Sequence, residues 1–124
     1  MDILLIVLQS LLALVFLMAG LTKVAGNKMH VDHFTKWGLP QWFRIVTGVI
    51  EIISAAALVV GFWDSSWTAV GALVIAITAI GGFIIHVRSK DSFKETFPIL
   101  FLAIIAFIVF FLCSSELANF PGFN

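Results

Sequence analysis

Charge is the scarcest commodity in this chain. Of its 124 residues only 11% are Asp, Glu, Lys or Arg, against roughly a quarter in soluble domains. Too few polar residues are available to coat a globule in water. Basic and acidic residues balance at seven each, which argues against nucleic acid or any strongly charged partner. The single cysteine, Cys113, excludes an intrachain disulfide and a paired-thiol redox motif. Its apolar surroundings mark it as a buried, inert thiol. Tyrosine is absent, so any belt of interfacial aromatics has to come from Trp37, Trp42, Trp63 and Trp67.

What is present is hydrocarbon. Hydrophobic residues make up 61% of the chain and the mean hydropathy is +1.13. About 20 apolar residues cross a ~30 Å bilayer core, and runs of that kind occur at 3–24, 43–63 and 66–87. A fourth, shorter run is extended backwards by Phe93–Thr96 to give 95–115. The expected fold is all-α: one domain over 1–124, a polytopic four-transmembrane-helix bundle. The first run lacks a basic leader and a small-residue cleavage site, so it is expected to be a retained helix, not a signal peptide. The tryptophans all fall at predicted helix ends, as interfacial anchors do.

Every basic residue falls at one end of this bundle. Lys23, Lys28, Lys36 and Arg44 flank or occupy the first connection; Arg88, Lys90 and Lys94 sit in or beside the third. By the positive-inside rule these loops face the cytoplasm and both termini face outward. The expected location is a bacterial plasma membrane. In the first cytoplasmic loop, Lys28, Asp32 and Lys36 recur every four residues, while Met29, Phe34 and Trp37 cover another face. That pattern predicts a short interfacial helix, stopped by Gly38, with Pro40 opening the second span. His30 and His33 share a face but have no third ligand, so no metal site is expected.

One residue resists this apolar pattern. GVIEIISAAALVVG (48–61) carries Glu51 in mid-span, where an unpaired charge costs at least a few kcal/mol. Arg44, Thr47, Glu51 and Ser54 form one helical stripe, bordered by Gly48 and Ala55, where a second helix can approach closely. Gln9, Ala13, Phe16, Gly20 and Lys23 make a seam on the first span. Gly71, Ile75, Thr78, Gly82 and His86 make one on the third. The fourth span, rich in phenylalanine, has no polar seam and is expected to face mainly lipid. Lys23, Arg44 and His86 are all near the cytoplasmic end and able to lean towards Glu51. Glu51, His86, Lys23 and Arg44 are therefore the candidate ligand-binding residues; catalytic residues are not identifiable. The opposing possibility is that Glu51 only pins helix packing.

The pieces that carry these residues resemble the DoxX family: FLMAGLTKVAG (16–26), a loop ending WGLP (37–40), TGVIEIISAAALVVGFW (47–63) and GGFIIHVRSKD (81–91). The resemblance runs over essentially the whole chain. It implies a small four-helix membrane protein placed with subunits of thiosulfate:quinone oxidoreductase and with redox or oxidative-stress complexes. A distantly similar animal relative is a chaperone for neurotransmitter-receptor assembly. By resemblance, Lys23, Glu51 and His86 match recurring polar positions, and Gly20, Gly38 and Pro40 match structural ones; Arg44 comes from the stripe alone. The leading expectation is a membrane subunit of a redox or oxidative-stress system that binds a quinone or similar lipophilic molecule around Glu51. No cofactor is expected to be covalently bound. The chain has no bis-histidine haem site, dithiol, iron–sulfur ligand set or nucleotide loop, so it is at most a subunit of a quinone-linked oxidoreductase. The alternatives are a non-enzymatic assembly chaperone or scaffold and, third, a proton-linked carrier. Expected partners are the lipid bilayer and a protein partner or further copies of the chain.

Overall fold

The structure, a computed structural model, describes residues 3–119. Within them the chain is all helical: α1 (Ile3–Ala25), α2 (Lys28–Lys36), α3 (Gln41–Val60), α4 (Ser65–Arg88) and α5 (Phe93–Cys113), followed by a 3₁₀ turn over Ser114–Asn119. Four of these helices, all but α2, are long and apolar enough to span a membrane.

The helix ends follow from local chemistry. Asn27, Asp64 and Ser92 each accept a backbone N–H at the start of α2, α4 and α5, satisfying orphan donors of the first turn. At the basic end, α1, α2 and α4 finish in the same way. Just beyond each helix, one backbone N–H bonds back to the carbonyl five residues earlier: Asn27 to Thr22, Leu39 to Phe34 and Asp91 to His86. This Schellman geometry needs a left-handed residue at the turn. Gly26 and Gly38 fill it with φ of +79° and +74°, but the third position is Lys90, at +59°. An L side chain there costs roughly 1–2 kcal/mol.

The second and fourth spans differ from the sequence expectation by two or three residues at each end. The second begins at Gln41, earlier than expected, because Pro40 is its N-cap. It stops at Val60, short of Trp63, because Gly61, Phe62 and Trp63 turn back onto the carbonyls of Ala57, Val59 and Val60. The last span runs from Phe93 to Cys113. The short loop helix is present as α2. Its charged ladder is exposed, and Phe34 is buried against the bundle.

Packing pairs α1 with α3 and α4 with α5, and the short turn at 61–64 sets α3 against α4. Backbones touch where α1 meets α3. A Cβ built on Gly20 would lie 2.7 Å from the Gly48 carbonyl oxygen, and one on Gly48 would lie 2.9 Å from that of Gly20. Small residues also carry the α4–α5 contact, where Ala69, Ala72 and Ala76 share a core with Ala106, Val109 and Cys113. The fourth span does turn Phe97, Phe101 and Phe111 outward, as expected of a lipid-facing helix.

At the end away from the basic loops, three helices are tied by one amide. Gln9 of α1 has 0% exposure. Its Nε2 donates to the Leu58 carbonyl at 2.7 Å and to Thr68 Oγ1 at 2.9 Å. The Leu58 oxygen is available because the turn takes the Phe62 N–H to Val59 instead.

Gly48→Val puts a branched side chain into the α1–α3 contact and should cost about 1–3 kcal/mol of stability. Gly81 has open space around it, so Gly81→Ala should change stability little. Thermal unfolding of both variants in detergent checks the pair: equal melting points would mean that the close approach does not hold α1 and α3 together.

Candidate functional site

The glycine contact sets the register of the ionisable residues. Lys23 lies three residues beyond Gly20, and Glu51 three residues beyond Gly48. Since α1 and α3 run in opposite directions, the two Cα atoms are offset by roughly 9 Å along the helix axes at ~1.5 Å per residue. Helical side chains lean towards the N-terminus of their own helix, which directs Lys23 and Glu51 at each other. Lys23 Nζ lies 2.9 Å from Glu51 Oε1. Glu51 is only 5% exposed. The contact is an ion-pair approach without hydrogen-bond alignment, and Oε1 has no aligned donor from any described residue.

His86 reaches the same place from the end of α4, held by an acid the sequence reading did not single out. The Schellman turn at Lys90 folds Asp91 back over its helix, so that the Asp91 N–H caps the His86 carbonyl at 3.0 Å. Its carboxylate then lies 2.7 Å from His86 Nδ1. The same carboxylate accepts from Lys36 Nζ at 2.5 Å and from Trp37 Nε1 at 3.1 Å. Its side chain is 1% exposed. The bond from Lys36, helped by those from Trp37 and His86, holds the Asp91 carboxyl below its ordinary range despite the burial. Asp91 therefore fastens the two basic loops together across the end of the bundle. Its sequence signal is an acid five residues after a histidine across a helix end, which is the separation a Schellman turn brings together.

Arg44 goes elsewhere. It is buried, but its Nε donates to Gln41 Oε1 at 2.7 Å and its Nη1 to the Lys23 carbonyl. It does not line the cavity described below. It closes the last turn of α1, a role suited to a cation at a helix C-terminus. The stripe placed it on the correct face of α3, but about two turns nearer the basic end than Glu51.

The α2 histidines flank this centre from the α1–α5 side. Thr22 Oγ1, which also reaches the Met18 and Ala19 carbonyls, lies 3.0 Å from His30 Nε2. His33 packs its ring on Trp37. Among the described residues no group of three or more His, Cys, Asp or Glu side chains is arranged to hold a metal.

Lys23, Glu51 and His86 line a cavity of about 290 Å³, closed by Phe16, Phe34, Trp37 and Ile99 and otherwise mostly apolar. All five helices contribute to it. It reaches the bundle surface between α3 and α4, where Val46 and Ile50 are exposed. From Ile50 an apolar groove of about 380 Å³ continues between those helices to Val60 and Trp67. A second recess, about 350 Å³, meets the same three polar residues from the α1–α5 side. A groove of about 590 Å³ on the α1–α3 face is lined by no ionisable residue.

The model that describes the DoxX-like family matches residues 7–108. The chain is also similar to a curated Bacillus subtilis (strain 168) protein named "Uncharacterized protein YdgD", 34% identical over 79 residues, which are 64% of this chain and 68% of that one. No solved structure matches.

Burial, with nearby Lys23, His33 and Arg44, lowers the His30 pKa from 6.5 to about 4. The folded chain then binds fewer protons than the unfolded chain across that interval, so stability should fall as pH drops from 6.5 towards 4. His30→Gln keeps a hydrogen-bonding group for Thr22 and should remove this component. Melting temperatures of both proteins across that range test it; parallel curves would refute the assignment.

Proposed function

The chain belongs to the DoxX-like family, and for this member we propose that the cavity beside Lys23, Glu51 and His86 takes the polar head of a quinone or similar lipophilic molecule. The observation that carries the reading is the buried Lys23–Glu51 pair on the wall of an otherwise apolar cavity that opens sideways towards lipid. A polar pair there is costly to keep merely for packing, since desolvation offsets most of its attraction. Lipophile sites share this design, a mostly apolar pocket with a few convergent polar groups. The groove from Ile50 to Trp67 suits an isoprenoid or acyl tail. The protein acts as a membrane subunit of a redox or oxidative-stress system, and a partner protein supplies the electron-carrying cofactor. In this reading both termini face outside a bacterial plasma membrane and the basic loops, with the Asp91 fastening, face the cytoplasm.

Native mass spectrometry and lipid extraction of the protein in mild detergent test the binding. The wild type should retain a lipophile that Glu51→Gln loses. Two empty proteins of unchanged stability would end the reading, and the chain would then be treated as a docking partner for other membrane helices. Orientation has its own check. In intact cells a membrane-impermeant thiol reagent should leave Lys28→Cys unlabelled until the membrane is permeabilised; labelling of intact cells would invert the topology.

A further inference from the structure

We infer that the cavity selects a headgroup that donates hydrogen bonds, a quinol or other phenol, over the corresponding quinone. The inference rests on the reading that a lipophilic headgroup occupies this cavity, and it follows from counting which protons its walls have left to give.

The walls have almost none. Thr47 and Thr78 both face the cavity, but each spends its hydroxyl proton on the carbonyl one turn back, that of Phe43 or Val74, at 2.8 Å. What they offer a ligand is lone pairs. The Trp37 indole N–H is engaged by Asp91. Asp91 also decides what His86 offers. An ionised carboxylate only accepts, so the proton in the 2.7 Å contact is on Nδ1. In the neutral imidazole this leaves Nε2 as an acceptor, and Nε2 has no partner among the described residues. Glu51 Oε1 is a buried acceptor without an aligned donor. Against these stands one donor group, the Lys23 ammonium, already drawn to Glu51.

A quinone brings only acceptors. It can take a bond from Lys23 only in competition with Glu51, and it brings no proton to Glu51 Oε1 or His86 Nε2. A quinol can give its two O–H protons to Glu51 and His86 while an oxygen accepts from Lys23. A site whose buried polar groups await a donor rejects an analogue that lacks one, because those groups lose water and gain nothing. In this arrangement Asp91 is a positioning residue: it touches no ligand, but it fixes which face of the imidazole chemistry the cavity sees.

The test uses three probes that share one prenyl tail: a hydroquinone kept anaerobic, its quinone, and its dimethyl ether, which has the shape of the quinol without its protons. Binding to the wild-type protein in detergent is measured by equilibrium dialysis. The hydroquinone should bind about tenfold or more tighter than the other two, as expected for two lost hydrogen bonds. Asp91→Asn should shrink the hydroquinone-to-ether ratio severalfold and leave ether binding unchanged, which a merely structural role for Asp91 would not do. Equal binding of all three probes, or tighter quinone, overturns the donor preference while leaving a lipophile site standing. Binding of none overturns both readings.

Discussion

Two glycines allow α1 and α3 to meet backbone to backbone, and the rest of the polar architecture follows from that contact. With Gly20 against Gly48, one further turn along each helix brings a lysine and a glutamate to 2.9 Å. Larger residues at either position would separate the helices by more than the ion pair can span without water. In a bilayer there is no hydrophobic force to draw one helix to another, so close packing of small residues and polar contacts carry association. Here the two act together, the first setting the geometry and the second filling it.

The basic end adds a different kind of constraint. Asp91 collects donors from α2, from the turn after it and from α4, and it does so because the chain accepts a lysine in a left-handed turn. The result is a cap across the cavity built from segments more than fifty residues apart. Trp37 belongs to both parts. Its indole N–H holds Asp91, and its ring packs edge-on against His86 with centroids 5.1 Å apart.

Much of this was legible in the sequence because membranes simplify it. Span number follows from apolar length, and a lone glutamate within a span stands out against carbon. The stripes on the first three spans brought Lys23, Glu51 and His86 to one cavity as expected. Arg44 lies off the cavity because helical periodicity specifies a face and not a depth. At its level the nearest unsatisfied group is the carbonyl end of α1. Asp91 was passed over because an acid in a charged loop ordinarily points to water. Its burial depends on Lys36 and Trp37, which no local pattern connects to it. The α4–α5 contact was equally hidden: Ala103, Ala106, Val109 and Cys113 form a narrow seam beneath a more conspicuous set of phenylalanines.

The buried amide of Gln9 bears on how the protein is made. When α1 first enters the bilayer it carries two groups that hydrocarbon does not tolerate alone, the Gln9 amide and the Lys23 ammonium. The partners of both arrive later in synthesis: Glu51 and the Leu58 carbonyl with α3, then Thr68 with α4. Alone in lipid the first helix would be incomplete, and its successors finish it. The unit that hydrocarbon accommodates is therefore the packed set of α1, α3 and α4, and not the single span.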